Sequence, residues 1–202
     1  ERMWATFSTA FRKNEYTGDG DSIIGGPRWG LSAIASLTGD VAKNLSKVAL
    51  DISKIIGLEH AIYNEATLHV TLRTFENYRG IVDFEDARAN VYHQIIKESL
   101  RDISSFRISF KGLNITPLGV IAQGWPVGDS FQLVRDRINH GLLNEKLICG
   151  PELQQRRITA HSSLVVFGMN ALNGPDNLLQ YIKDRRQYEF GEVEIEHLSL
   201  VA

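Results

Sequence analysis

The sequence predicts an α+β fold of two lobes related by a pseudo-twofold. Three observations carry that prediction. Strand-like and helix-like segments follow one another in a similar order in each half of the 202 residues, each half holds one histidine-bearing strand, and those histidines, His69 and His161, stand nearly half the chain apart. Such a pattern delivers one strand from each lobe to a shared cleft.

The segment up to Pro27 is rich in turn formers (GDGDS, GGP) and is read as an N-terminal extension, 1–27, draped on a single domain, 28–202. Regular structure is expected to begin with RWGLSAIASL from Arg28, a buried strand. Thr38-Gly39-Asp40 then offers helix-capping side chains, Val41, Leu45, Val48, Ile52 and Ile55 recur at helical spacing, and Gly57 is a natural stop. HAIY and ATLHVTLRTF read as a strand pair. An amphipathic helix follows from about Asp83, with Phe84, Ala87, Val91, Ile95 and Leu100 on one face.

In the second half, Gly and Pro divide FRISFKGLNITPLGVIAQGW into about two strands joined by a turn. A helix from about Ser130 carries Phe131, Val134, Ile138 and Leu142. RRITAHSSLVVF is the histidine-bearing strand, Pro175 opens another helix, and EFGEVEIEHLSLV closes the chain as one strand.

Composition narrows the function classes. An apolar fraction of 43% and a charged fraction of 23% are ordinary for a globular protein. A net charge of −2 gives no field for gripping a long polyanion, so a nucleic-acid ligand would be a terminus or a small nucleotide. The lone Cys149 excludes an intrachain disulfide framework and a cysteine-rich zinc site, and fits a reducing compartment. No apolar run approaches the roughly 20 residues of a membrane helix. The first residues lack the features of a signal peptide, and the missing initiator Met suggests a trimmed start that can have lost targeting information; the cytoplasm is the default expectation from the cysteine usage. No phosphate-binding glycine loop or dinucleotide fingerprint occurs, and GDGDS lacks the spacing of a calcium loop.

The chemistry-bearing pattern is His-x-hydroxyl-apolar, present as HVTL (His69, Thr71) and HSSL (His161, Ser163). In a strand, residues two apart share a face about 7 Å apart. An imidazole can exchange a proton near neutrality, and a hydroxyl can bond a phosphate oxygen without adding charge. Two facing pairs would set an acid and a base on opposite sides of one phosphorus, as in-line attack on a phosphodiester requires. Two satisfied structural histidines are the plainer alternative. His197-Leu198-Ser199-Leu200 is a formal third match and tests the assignment. Arg73, on the same strand face if alternation holds, is a possible substrate-binding residue or else an exposed strand-end arginine. Tyr63, Trp125 and Trp29 could stack a base, but packing is the preferred reading for all three.

AIYNEATLHVTLRTF, ITAHSSLVVF and the closing FGEVEIEHLSLV together resemble the two-histidine (2H) phosphoesterase superfamily over about Trp29 to Ala202. The resemblance implies a bilobal fold of antiparallel sheet and helices around a central cleft. It also implies a tetrad of His69, Thr71, His161 and Ser163, with His161 as base and His69 as acid, and catalysis without metal or cofactor. The expected reaction is hydrolysis of a 2′,3′-cyclic phosphate on an RNA end or small nucleotide by a monomer with no obligate protein partner. A 2′,5′-phosphodiesterase, a hydrolase of a cyclic ADP-ribose derivative, and a nucleotide-binding module without turnover are the alternatives. Many members carry Pro before the second histidine, an apolar residue after it, and Arg soon after the motif. This chain has Ala160, Ser162 and Val165-Val166 there, which marks an outlying subfamily.

Overall fold

The computed structural model describes residues 2–13, 15–19, 30–76, 86–147, 159–168 and 172–202. Among these lie five helices and eight strands, and every strand pairing is antiparallel.

The chain opens with a helix, α1 (Arg2–Arg12). This corrects the reading of the first 27 residues as lacking regular structure: Trp4, Phe7 and Phe11 recur at spacings of three and four, and Phe11 is buried against Tyr16 and Phe167. The turn-rich sequence that follows concealed that periodicity. The backbone N–H groups of Thr17 and Asp19 bond to the carbonyls of Pro117 and Phe167, so the extension is pinned to the domain at both points.

Strand β1 (Ser32–Ser36) leads into α2 (Gly39–Ile56), which buries Val41, Leu45, Val48, Ile52 and Ile56. Thr38 is its N-cap in extended backbone, but its hydroxyl makes no capping bond, contrary to expectation; Asp40 in the first turn complements the helix dipole. Gly57 ends the helix at φ +104°. Strands β2 (Ala61–Ile62) and β3 (His69–Thr74) follow, then α3 (Ala87–Ser99), where the Asp86 carboxylate accepts from the N–H groups of Arg88 and Ala89. The expected start of α3 at Asp83 and Phe84 lies outside the described residues.

Strands β4 (Phe106–Thr116) and β5 (Gly119–Val127) form the expected hairpin, and α4 (Ser130–Asn144) buries Phe131, Val134, Ile138 and Leu142 completely. After them come β6 (Ala160–Val166), α5 (Pro175–Asp184) with Pro at its start, β7 (Glu189–Ile195) and β8 (Ser199–Val201).

These strands form a three-stranded sheet in the order β3-β1-β8 and a five-stranded sheet in the order β2-β6-β5-β4-β7. Two expectations are corrected here. HAIY and ATLHVTLRTF are not partners, because β2 pairs with β6 and β3 with β1. The closing segment is two strands: after Ile195 the chain leaves the larger sheet and, from Ser199, pairs with β1. Each half therefore lends a strand to the other half's sheet, and the domain cannot be cut at its sequence midpoint. Helices α2 and α5 pack together beneath the larger sheet, α3 and α4 pack together beside the smaller one, and β3 packs against β6 where the sheets meet.

Candidate active site

The two motif strands are neighbours in space. On β6, Ala160, Ser162 and Leu164 face the core, while His161 is exposed and Ser163 half-buried on the other face. On β3, Val70 and Leu72 are buried, and His69 and Thr71 are partly open. Each histidine thus shares the accessible face of its strand with its hydroxyl partner, as period-two alternation requires.

Local sequence fixes His69. Asn64 to Thr67 form a turn in which the Asn64 side chain accepts from the N–H of Ala66 and the Thr67 hydroxyl accepts from the N–H of Asn64, each at 2.9 Å. The turn presents the Thr67 carbonyl 2.8 Å from His69 Nδ1. A carbonyl only accepts, so Nδ1 carries the proton and Nε2 is the nitrogen left to exchange one. Tyr63 sits beside the ring, with centroids 5.8 Å apart, and its own N–H donates to the carbonyl of Leu164, the residue after Ser163. Tyr63 therefore touches both motifs while packing half-buried against the core, as the packing reading expected.

Arg73 departs from expectation. A β-bulge sets Ala33 opposite Arg73 but Ile34 opposite Thr71, so alternation breaks between Thr71 and Arg73. Arg73 does not share the open face of His69 and Thr71: it is 2% exposed. Neither the shared face nor an exposed strand end describes it.

The same bulge serves a residue that sequence reading missed. Arg135 of α4 is buried, with its guanidinium 4.4 Å from the Phe131 ring centre. Its Nε donates to the Leu72 carbonyl at 3.1 Å and one Nη to the Thr71 carbonyl at 3.2 Å; the other Nη reaches the Thr159 carbonyl, two residues before His161, at 2.9 Å. In a regular strand successive carbonyls point opposite ways; the bulge lets one guanidinium collect both. Arg135 thereby ties the His69 strand to the His161 strand. A signal existed: Arg135 is the one cation on the apolar stripe Phe131, Val134, Ile138, Leu142, where cations are rarely buried without partners.

The remaining histidines separate clearly where their surroundings are described. His60 is buried, its Nδ1 accepting the Gly168 N–H at 3.1 Å and its ring edge-on to Phe167, and burial holds its pKa below the ordinary value. His197 is exposed in the connection between β7 and β8, off both strands, so the third motif match does not form a strand pair with Ser199. Trp125 is 46% exposed, contrary to a packing role, whereas Trp29 and Cys149 lie outside the described residues. Among the described residues, no three His, Cys, Asp or Glu side chains gather to hold a metal ion, and no helix is long and apolar enough to cross a membrane.

The molecule thus belongs to the α+β class with two antiparallel sheets joined at β3 and β6. No family model and no curated protein matches the chain. Among solved structures 10 chains match. One is the crystal structure of TT0787 of Thermus thermophilus, with a TM-score of 0.57 over 86% of this chain and 87% of that chain at 18% identity, a likeness of fold alone.

Proposed function

We propose that this chain is a phosphodiesterase of the two-histidine (2H) type that opens 2′,3′-cyclic phosphates on RNA ends or small nucleotides. The supporting observation is the tethering of two His-x-hydroxyl strands by one buried arginine, with each histidine on the accessible face beside its hydroxyl.

In this reading one histidine takes a proton from the attacking water while the other protonates the departing ribose oxygen, and the phosphate ends as a monoester. For His69 both roles run through Nε2, because Nδ1 is committed to Thr67. His69 is taken as the acid and His161 as the base, the order that the family resemblance implies. Thr71 and Ser163 hydroxyls bind nonbridging oxygens without adding charge. The reaction needs no metal.

Purified protein should hydrolyse a nucleoside 2′,3′-cyclic phosphate in EDTA, and His69→Ala or His161→Ala should each lower kcat by about 10² to 10⁴. Full activity in both variants would remove the mechanism. Turnover of a 2′,5′-linked dinucleotide or a cyclic ADP-ribose derivative in place of the cyclic phosphate would keep the chemistry and change the substrate. Tight nucleotide binding without product would make the chain a binding module.

A further inference from the structure

The open face of the five-stranded sheet continues beyond His161. Directly opposed residues of antiparallel strands share a face, so Gln123 of β5 lies beside His161, and the next strand presents the bulged Lys111-Gly112 opposite Gln123. A recess of about 250 Å³ opens there, lined by Lys111, Gln123, Trp125, Arg186 and Gln187. Two strand spacings put Lys111 about 10 Å from the His161 strand.

The recess has a fixed floor. Gly112 has φ +85°, a Cβ there would collide with the Arg186 carbonyl oxygen, and its N–H donates to the Tyr188 carbonyl at 2.9 Å, so β4 and the turn before β7 are pressed together. Its wall is aromatic. The Trp125 indole N–H donates to the Lys111 carbonyl at 3.3 Å, which anchors the ring by its edge while nearly half the residue stays exposed. Its rim is cationic: Lys111 Nζ stands 2.9 Å from Glu189 in a solvent-exposed pair, and the Arg186 guanidinium lies 4.9 Å from the Trp4 ring centre. Exposed pairs of this kind contribute little, so Lys111 can exchange Glu189 for a phosphate oxygen at small cost.

An exposed aromatic beside cations is the chemistry that holds single-stranded nucleotides, with stacking for the base and charge for the backbone. The volume suits one base and not a long strand, in keeping with the net charge of −2. We infer that the recess is a subsite for a second nucleotide, taking the base on Trp125 and the linking phosphate on Lys111. An RNA end bearing a 2′,3′-cyclic phosphate has a neighbour only on its 5′ side, so the occupant is the penultimate nucleotide. This rests on the phosphodiesterase reading, and the test separates the two.

The kcat/KM of a trinucleotide ending in a 2′,3′-cyclic phosphate is compared with that of the corresponding mononucleotide. The native protein should prefer the trinucleotide by roughly tenfold or more. Trp125→Ala and Lys111→Gln should abolish that preference while mononucleotide turnover stays unchanged, and Trp125→Phe should restore most of it. Equal kcat/KM for both substrates, or an undiminished preference in Trp125→Ala, overturns the subsite and leaves the phosphodiesterase reading intact. If neither substrate is turned over, that reading fails, and binding of a trinucleotide 3′-phosphate decides the subsite. Affinity that falls roughly tenfold in Trp125→Ala supports it; unchanged affinity, or no binding to the native protein, overturns it.

Discussion

The two motif strands are held by different means. Strand β6 is paired with β5 along its whole length, through His161 and Ser163, and β2 flanks its far end at Val165 and Val166, so backbone ladders fix its position. Strand β3 is an edge, paired with β1 alone and bulged in mid-course. What β3 lacks in ladder bonds is supplied by side chains: the Asn64–Thr67 turn that fixes the His69 ring, and Arg135, which fills the bulge. The His161 half of the site thus depends on sheet pairing and the His69 half on a few polar groups, so single substitutions should damage the two halves unequally.

The sharpest way to break that difference is to remove Arg135. Hydrogen bonds from a charged donor contribute about 1.5 to 3 kcal/mol each, and orphaned buried carbonyls carry their own penalty. Arg135→Met should therefore cost on the order of 3 kcal/mol, seen as a fall in Tm of about 10 °C. In the folded fraction, the proposed cyclic phosphodiesterase activity should fall further than the stability loss explains, because the strands lose their tether. Arg135→Lys should recover some stability but little activity, since an ammonium lacks the planar fork that reaches three carbonyls. A normal Tm and normal activity in Arg135→Met would show that the edge strand holds itself.

This asymmetry also decides what was legible in the sequence. The helices were readable because Val41 to Ile52 and Phe131 to Leu142 recur at a period that only a helix buries. Trp4, Phe7 and Phe11 carried the same signal in α1 but stood next to a turn-rich run that hid it. Sheet membership was not readable: nothing local in HAIY tells β2 to join β6 and not β3, because pairing is set by contacts distant in sequence. The histidine–hydroxyl pairs were found because period-two alternation is local, and Arg73 was misassigned because a bulge breaks that alternation without any glycine or proline to mark it.

A smaller effect separates the residues that follow the two histidines. Val70 and Ser162 are both fully buried, but the Ser162 hydroxyl has no hydrogen-bond partner among the described residues, whereas Val70 has no polar side-chain atom to satisfy. Leaving a buried hydroxyl unpaired costs about 1 kcal/mol or more. Ser162→Ala should therefore raise stability by about 1 kcal/mol, a gain of a few degrees in Tm, and leave catalysis intact because the side chain faces away from His161 and Ser163. A loss of stability on substitution would mean that the hydroxyl is satisfied and that the inner face of β6 is as well matched as that of β3.

The smallest difference appears only on acidification. Arg135, which tethers β3, keeps its charge at any physiological pH, but the chain just past β6 is held through a group that titrates. His60 Nδ1 accepts the N–H of Gly168, which requires an unprotonated Nδ1, and burial lowers the pKa of the ring, opposed by the Ile56 carbonyl and the charge of Glu59. In the unfolded chain the imidazole titrates near 6.5. As pH falls through that value, the unfolded state takes up a proton before the folded state does. The contribution of His60 is thus whole above about pH 6.5, declines below it, and levels off once pH passes the lowered folded value. Tm should be lower at pH 5.5 than at pH 7.5. In His60→Asn, whose side-chain oxygen can still accept from Gly168 and does not titrate, that difference should shrink. An unchanged difference in the variant would assign the acid sensitivity elsewhere and leave the two strands equally indifferent to pH.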